Sequence, residues 1–396
     1  MMAAIAASQQ HKKVLLLEAS ERVGKKLLAT GNGRCNFTNQ NMGIEHYYTD
    51  SPQMLNQILQ EYPCEKICSL FEQMGMYSKK ITEYYYPYSE NASTVLDTLR
   101  ICLQEYGCTI KTECDVTQIQ KKEHAFYVSG NSFSYNGKTV IVAAGSKAGG
   151  FYKGNQSMYH LLSGFGHHCT DLHPALTKCN CKEDYFKALA GVRAKGNLTL
   201  YINQKPVKEE SGEVQFTKTG ISGIPVFQIS GDIAQALSAG KSVSVSINLL
   251  PEFDKSKLTA MIEQRLKDRK RCTVEQFFTG FLNKKLMSLF IKKANLKEQE
   301  AAISYSVKNL VAVLTNAMKF STTITSVEAL ESAQVCRGGI PLSECTGQLM
   351  SKLQPGLFLC GELLNVDGIC GGYNLHFAWA SGRICGLSAA DYIDHL

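Results

Sequence analysis

Apolar residues near the start of the chain form two short runs that predict a helix followed by a strand. Residues Met1 to Gln10 are mostly small and apolar, which predicts a buried helix. The strand, Val14 to Leu17, ends at an acid, Glu18. In a βαβ nucleotide site such an acid bonds a ribose hydroxyl and follows a glycine-rich phosphate turn by about 20 residues. Only 17 residues precede Glu18 and no complete G-x-G-x-x-G occurs, so we expect that turn and its strand upstream of Met1.

The pattern up to residue 150 predicts further helices and short strands. Helical spacing occurs around Pro52 to Met74 and from Ala92 to Tyr106. The aromatic run from Tyr84 to Tyr88 predicts a loop or a sheet edge, because Pro87 cannot donate to a strand ladder. Alternating positions predict a meander, which leads into a buried strand; the segments are 109–117, 125–129 and 132–135, and then 139–145.

Beyond residue 150 the pattern changes to short strands separated by turns, such as 198–202 and 243–247. A helical region follows, and near Gly356 the chain returns to a buried strand, a glycine-rich turn and a helix from about Asn374 to Tyr392. A strand, glycine turn and helix at each end predict one discontinuous α/β domain. We expect this domain over 1–150 and 340–396, a β-rich insertion over 151–250 and 320–339, and a helical subdomain over 251–319.

Composition narrows the class of protein. Hydrophobic residues make up 44% and charged residues 19%, which is ordinary for a soluble globular protein. No apolar run approaches the ~20 residues of a membrane span, so we expect no membrane contact. Fifteen cysteines without a secretory signal favour a reducing, cytoplasmic compartment. No pair has C-x-x-C spacing, and we expect no metal site.

The positive charge is concentrated in the helical region. The formal net charge is +7, and between 254 and 308 there are 13 Lys or Arg and 6 Asp or Glu. This surplus indicates either the solvated face of a helical subdomain or contact with nucleic acid or an acidic partner. Because the aromatic residues of this region fall on its apolar face, we favour the solvated face and expect a small-molecule substrate rather than nucleic acid. The oligomeric state stays open.

Three glycine-containing segments are candidates for binding a ligand. Residues 30–39, TGNGRCNFTN, read either as a hairpin turn or as a loop that lets backbone approach a phosphate or heteroaromatic ring. Residues 360–375 place an acid and a double glycine after a buried strand, which fits a cofactor site or a plain helix entry. Residues 143–146, AAGS, close another strand. Among the histidines, His376 is the candidate acid or base, because it lies beside the double glycine.

Together these segments resemble the BaiN/RdsA family of NAD(P)/FAD-dependent oxidoreductases, which includes the aminoacetone oxidase-like flavoproteins. The matching segments extend over nearly the whole chain in order and spacing; they are 18–39, 140–146, 166–176, 216–230 and 361–386. The resemblance implies a discontinuous Rossmann-like FAD-binding domain, here without its first strand, that carries inserted β-barrel-like and helical domains. It also implies an incomplete start, since family members begin with a strand and a G-x-G-x-x-G-type turn.

The resemblance implies a role for residues from all three segments. Glu18 would hold the adenosine ribose, and the cations Lys25, Lys26 and Arg34 would lie near the pyrophosphate and ribityl chain. At the second wall, Gly361 and Glu362 would meet the ribityl–phosphate region. Residues that would approach or flank the flavin ring, or close the strand that meets it, are Gly31, Gly33, Cys35, Asn36, Ala144, Gly145, Asp367, Gly371, Gly372, Tyr373 and Asn374.

The expected activity is hydride transfer through bound FAD, with NAD(P)H either a transient reductant or not used. The resemblance leaves two reactions open: reduction of an enone-type C=C bond and oxidation of a small amine. The alternative is a cofactor-free, truncated relative that acts as a binding or scaffold protein. Loss of the phosphate turn leaves the activity of the chain itself in question.

Overall fold

The computed structural model describes residues 1–151 and 158–396, which divide into two units. The first comprises Met1–His173 and Leu330–Leu396, and the second comprises Pro174–Ala329. These boundaries differ from the expected ones at 150 and 340. Residues before His173 join the first unit because, for example, Thr170 N–H donates to the Gly339 carbonyl over 3.0 Å. The β-rich and helical segments share the second unit because the helices are inserted between two neighbouring strands.

The helices and strands follow the order expected of a discontinuous α/β domain. The helices are α1 Met2–Gln9, α2 Lys25–Leu28, α3 Pro52–Glu61, α4 Cys64–Gln73, α5 Ala92–Glu105, α6 Met158–Ser163, α7 Phe186–Leu189, α8 Ile224–Ser238, α9 Lys255–Asp268, α10 Val274–Phe278, α11 Lys284–Lys293, α12 Val307–Met318 and α13 Tyr373–Asp394. The strands are β1 Leu15–Leu17, β2 Thr38–Asn39, β3 Tyr47–Thr49, β4 Ser78–Ile81, β5 Tyr84–Pro87, β6 Thr109–Lys111, β7 Gln118–Lys122, β8 Ala125–Ser129, β9 Ser134–Gly137, β10 Val140–Val142, β11 His173–Ala175, β12 Cys179–Cys181, β13 Arg193–Ile202, β14 Lys205–Phe216, β15 Gly220–Ser222, β16 Val243–Asn248, β17 Phe320–Val327, β18 Val335–Arg337, β19 Leu357–Leu359 and β20 Val366–Gly368.

In the first unit, parallel strand pairs hold the segments that carry candidate residues. Strand β1 pairs with β6, and β10 pairs with β19, both in parallel. Among the described residues no strand joins these two pairs into one ladder. Because β10 and β19 are parallel, the turns that follow them, at Gly145 and Gly361, leave the same edge. The Rossmann-like arrangement therefore brings two of the three glycine-containing segments together.

Two expectations about this unit were wrong. Strand β5 is the middle strand of the sheet β2-β5-β4 and not a loop or edge, because Pro87 comes last in the strand and interrupts no interior pair. Residues 109–117 do not open the meander, since β6 pairs with β1 and the meander is β7-β8-β9. The helical region of 52–74 is two helices, with a break at Tyr62 and Pro63 where the proline disfavours helix continuation.

The second unit is a barrel with a helical insertion. Its strands close in the order β12-β15-β14-β13-β16-β17, and helices α9 to α12 lie between β16 and β17 in sequence. Leu258 and Ile262 of α9 and Phe277 of α10 are fully buried, and the cation of Arg265 lies 5.6 Å from the Phe277 ring centre. The lysines and arginines of these helices are largely exposed, which a solvated face and a surface for an acidic partner both require, so the choice of a solvated face stays a prediction.

No helix within the described ranges has both the length and the apolar character needed to cross a bilayer.

The core of the first unit is organised by α13, which packs closely against α1. A Cβ atom on Gly386 would lie 2.3 Å from the Ala3 carbonyl oxygen and 2.6 Å from the Ala6 Cβ. Small residues on both helices therefore allow near-contact of their backbones. Nearer the start of α13, the Trp379 indole N–H donates to the Phe37 carbonyl over 3.0 Å, and Phe71 packs edge-on against the same indole.

We expect Gly386→Ala to lower the free energy of unfolding by about 1–3 kcal/mol, because overlap with α1 outweighs the ~1 kcal/mol that alanine normally adds in a helix interior. Gly382→Ala is the matched control, since its Cβ would lie 3.3 Å from its nearest neighbour, the Met2 Cβ. Urea unfolding of both variants measures the difference. Equal stability of the two variants would contradict the close packing at Gly386.

Candidate functional site

Glu18, the acid that follows β1, forms a hydrogen bond within the turn that comes after the strand. Glu18 Oε1 accepts a hydrogen bond from the Ser20 backbone N–H over 2.8 Å, and its backbone bonds to Lys111 and Cys114. The carboxylate therefore stabilises the chain reversal after β1, and the ribose role implied by the resemblance stays a prediction. Lys25, at the start of α2, forms a surface ion pair with Glu21.

Residues from three distant segments meet at Glu362. The Lys26 Nζ lies 2.6 Å from Glu362 Oε2, and the Ser146 hydroxyl lies 3.5 Å from the same oxygen. Gly145 adopts a positive φ of 70°, and a Cβ there would lie 3.7 Å from Glu362 Oε2. Both side chains of the ion pair are partly exposed, so solvent screens it. The side chains of Lys26, Ser146 and Glu362 form what we call the Glu362 cluster. It presents one cation, one hydroxyl and one carboxylate at the edge where β10 and β19 end.

The first glycine-rich segment is a tight run of left-handed backbone. Gly31, Asn32, Gly33 and Cys35 have φ values of 56°, 54°, 83° and 56°. Non-glycine residues pay a conformational cost there, which packing must offset. Cys35 is fully buried, and burial raises the pKa of its thiol to about 11, so it remains an uncharged core residue. Of the two readings left open for this segment, the hairpin turn is not supported, because helix α2 leads into residues 30–33 and no pair of described strands flanks them.

Arg34 lies next to this loop but does not reach the Glu362 cluster. Its guanidinium pairs with Glu90 and lies 4.5 Å from the centre of the Tyr86 ring. Glu90 also accepts from Lys79 over 2.7 Å. Much of the Arg34 charge is therefore neutralised by a neighbouring carboxylate, and a phosphate role for Arg34 stays a prediction.

The loop meets the start of α13 at backbone distance. A Cβ on Gly372, the residue before α13, would lie 2.8 Å from Asn36 Oδ1 and 2.9 Å from the Thr38 carbonyl oxygen. Gly372 has a φ of 92° and Gly371 a φ of 133°, so both need glycine. The Gly371 carbonyl accepts from Asn39 Nδ2 over 2.9 Å. The two glycine-rich segments are thus adjoining walls of one site.

Three polar residues after β19 are engaged in holding this wall. Asp367 forms a buried ion pair with Arg337, with Nε–Oδ distances of 3.3 and 3.4 Å. The Asn374 amide bonds both the N–H and the carbonyl of Gly368, over 2.8 and 2.7 Å. Tyr373 is buried and its hydroxyl donates to the Asn41 carbonyl over 3.2 Å. Their contacts to a flavin, implied by the resemblance, stay predictions.

His376 is fully buried and both ring nitrogens are bonded. Nδ1 lies 2.7 Å from Thr38 Oγ1, and Nε2 lies 2.9 Å from the Tyr62 carbonyl oxygen. Because a carbonyl only accepts, Nε2 carries the proton and the Thr38 hydroxyl donates to Nδ1. Burial lowers the pKa of His376 to about 4. The ring therefore connects β2 to the end of α3, and this geometry does not support its candidacy as an acid or base.

The two glycine-rich segments also contain backbone positions that no other described residue covers. No described atom lies within 4 Å of the Cβ positions of Gly33 or Gly361, and both residues have positive φ. Ala144, two residues after the end of β10, is exposed although the strand itself is half-buried or buried. Asn36 Oδ1 is buried and has no hydrogen-bond partner among the described residues. Open glycines beside an unsatisfied acceptor fit a ligand that brings a hydrogen-bond donor.

Several residues at or near the site escaped the sequence analysis. Ser146 lies in the 143–146 segment but was given no role there. Arg337 precedes Gly338 and Gly339, a double glycine like the one at Gly371 and Gly372 that did mark a candidate segment. Tyr84 lies against Gly371, with its Cε1 3.1 Å from the Cβ position. His167 and His168 both contact Glu344, a contact between residues too far apart in the sequence for any local pattern to indicate.

Comparisons with known proteins agree with this architecture. A family model described as "HI0933-like protein Rossmann domain" matches residues 1–388. The chain is 34% identical over 393 residues to the 3-dehydro-bile acid delta(4,6)-reductase of Clostridium scindens, covering 98% of this chain and 96% of that protein. It is 26% identical over 392 residues to the ribosomal RNA dihydrouridine synthase of Haemophilus influenzae, covering 95% and 92%. The Escherichia coli ribosomal RNA dihydrouridine synthase is 24% identical over 395 residues, covering 96% and 92%.

The neutral state of His376 makes a pH-dependent contribution to stability. The unfolded chain takes up a proton near the ordinary pKa of 6.5, whereas the folded protein does not until about pH 4. Between pH 6.5 and 4 the unfolded state therefore binds more protons at this residue than the folded state. The contribution of His376 to the free energy of unfolding is constant above this range and falls as the pH drops from 6.5 towards 4. The expected loss from this residue is about 3 kcal/mol at most.

Urea unfolding between pH 7.5 and 4.5 measures the effect, and we expect His376→Gln to flatten its slope against pH. His124→Gln, at an exposed histidine, is the control and should retain the wild-type slope. An unchanged slope in His376→Gln would contradict the neutral buried ring, whatever the absolute stability of that variant.

Proposed function

Because this chain belongs to the HI0933-like Rossmann domain family, we propose that it is an FAD-dependent oxidoreductase that reduces a C=C bond conjugated to a carbonyl. The carrying observation is the 34% identity to a delta(4,6)-reductase over nearly the full length of both chains. The name dihydrouridine synthase likewise denotes addition of hydrogen across a double bond. These names favour reduction over amine oxidation. A cofactor-free scaffold is not favoured, since these relatives are named as enzymes.

The residues present fit FAD at the site described. The unsatisfied Asn36 Oδ1 would accept a hydrogen bond from a donor on the ring edge, and the open Gly33 and Gly361 would allow close backbone approach. Lys26 offers a cation for the pyrophosphate, and Glu362 an acceptor for ribityl or ribose hydroxyls, while Ser146 adds a hydroxyl. When bound, FAD accepts a hydride, which carries two electrons, and in its reduced form donates a hydride to a substrate.

The protein's own part is to bind, to orient and to exclude water. Glu362 is held by Lys26 and Ser146, so its carboxylate has a defined position before a ligand arrives. The start of α13 is fixed by Asn374 on Gly368 and by Asn39 on Gly371. These bonds pre-organise the wall on which a flat ring would lie, which reduces the ordering cost of binding. NAD(P)H as the reductant is part of the proposal.

Flavin half-reactions test the reaction class. Under anaerobic conditions we expect NADH or NADPH to bleach the bound flavin, and a 3-oxo-4-ene steroid to restore its absorbance. In parallel, oxidised protein is mixed with small primary amines in air and hydrogen peroxide is measured. Peroxide formation with amines, together with no reoxidation by the enone, would replace the reductase assignment with an amine oxidase. Failure of the purified protein to retain or bind FAD would refute the flavoprotein proposal.

Glu362→Gln should raise the Kd for FAD by about 10- to 100-fold, because a charge-assisted hydrogen bond contributes about 1.5–3 kcal/mol. The substitution keeps the shape of the side chain but leaves Lys26 without its carboxylate. Glu21→Gln is the matched control, since it breaks the adjacent ion pair with Lys25 at the exposed end of α2. Titration of apoprotein with FAD, followed by flavin fluorescence, gives both constants. Equal constants for the two variants would remove Glu362 from the site.

A further inference from the structure

Strand β5 presents two tyrosines to the candidate site. Side chains alternate along a strand, so Tyr84 and Tyr86 share a face and Tyr85 lies on the other, where it packs against the hydrophobic core. Tyr86 lies beneath the Arg34 guanidinium, 4.5 Å away, next to the first glycine-rich loop. Tyr84 lies against Gly371, in the second glycine-rich segment. One face of β5 therefore adjoins both glycine-rich walls.

Three tyrosines surround this part of the second wall, and Tyr84 differs from the others. The Tyr47 hydroxyl donates to the Tyr373 carbonyl over 2.8 Å, and the Tyr373 hydroxyl donates to the Asn41 carbonyl over 3.2 Å. These backbone bonds fix both hydroxyl groups. The Tyr84 ring is half-buried, and its hydroxyl lies beside the carboxylate of Glu83, which is itself partly exposed. Tyr84 thus combines a position against Gly371 with a connection to solvent.

The surroundings keep the Tyr84 phenol protonated. Burial, together with the neighbouring Glu83 carboxylate, raises the pKa of Tyr84 to about 12. The same contact lowers the pKa of Glu83, which is ionised at neutral pH. At neutral pH the Tyr84 phenol is therefore protonated and the Glu83 carboxylate is ionised. After the phenol has given up its proton, the carboxylate can transfer a new proton to it from water.

We propose that Tyr84 is the proton donor to the substrate carbon during reduction of the conjugated double bond, a role that rests on the proposed function. Hydride supplied by bound reduced FAD would add to the β-carbon, and the π electrons would move to the carbonyl oxygen to give an enolate. As the carbonyl re-forms, the α-carbon takes the proton from the Tyr84 hydroxyl, so that an O–H bond breaks and a C–H bond forms. The tyrosinate regains a proton from water through Glu83.

The test uses Tyr84→Phe and separates proton delivery from flavin chemistry. The flavin is reduced anaerobically, and its reoxidation is followed in single turnovers with a 3-oxo-4-ene steroid and, separately, with ferricyanide, which needs no carbon protonation. We expect net reoxidation by the enone to be slowed about 100-fold or more, because an enolate that is not protonated returns its hydride to the flavin. FAD affinity, reduction by NAD(P)H and reoxidation by ferricyanide should match the wild type.

Matched controls lie on the same strand and at its end. Tyr85→Phe, on the opposite face of β5, and Tyr88→Phe, which is 71% exposed, should both reoxidise with the enone at the wild-type rate. Glu83→Gln keeps the phenol but removes the carboxylate that returns its proton, so its multiple-turnover rate should fall more than its single-turnover rate. A wild-type rate in Tyr84→Phe overturns the proton donor alone. A wild-type flavin that the enone does not reoxidise overturns the proposed function and this role with it.

Discussion

Helix α13 approaches the segments that it crosses at backbone distance, and this close approach depends on glycine. At its start Gly372 leaves no room for a Cβ beside Thr38, and further along Gly386 leaves none beside Ala3. The helix consequently joins the beginning of the chain to its end, because α1 and β2 both pack on it. Its buried side chains, including Phe377 and Trp379, supply the apolar contacts that stabilise the first unit. The candidate site lies where the start of α13 contacts the first glycine-rich segment.

The Glu362 cluster follows from the same constraint. Parallel strands β10 and β19 end at one edge, where their turns place Ser146 beside Glu362, while α2 brings Lys26 from the other end of the sequence. No member of the cluster is a sequence neighbour of another. Open glycines lie close by in the chain, which is why we locate cofactor binding at this edge. Solvent reaches the ion pair, so its value lies more in orientation than in stability.

Burial explains why some residues that the sequence suggests for catalysis or ligand binding form structural hydrogen bonds and ion pairs instead. A polar group inside a protein needs a partner, so His376 bonds Thr38 and Tyr62, and Asp367 pairs with Arg337. Local sequence shows that these residues are polar and lie near glycines, but it does not show which ones face the interior. Tyr84 illustrates the opposite error: one proline in its run predicts a loop or a sheet edge, whereas the strand pairing makes β5 a central strand, and the structure places Tyr84 against Gly371.

The sequence by itself determined the discontinuous α/β architecture, the family and the three glycine-containing segments, because hydrophobic periodicity, glycine and strand ends are local signals. It also located α1, α5, β19 and α13 closely. Only the tertiary structure decided which of these segments touch: Lys26 with Glu362, Asn36 with Gly372, and Tyr84 with Gly371. Such contacts depend on strand pairing and on the direction in which each side chain leaves the backbone. Those are long-range properties, and in a single sequence residues about 300 positions apart carry no mark of their contact.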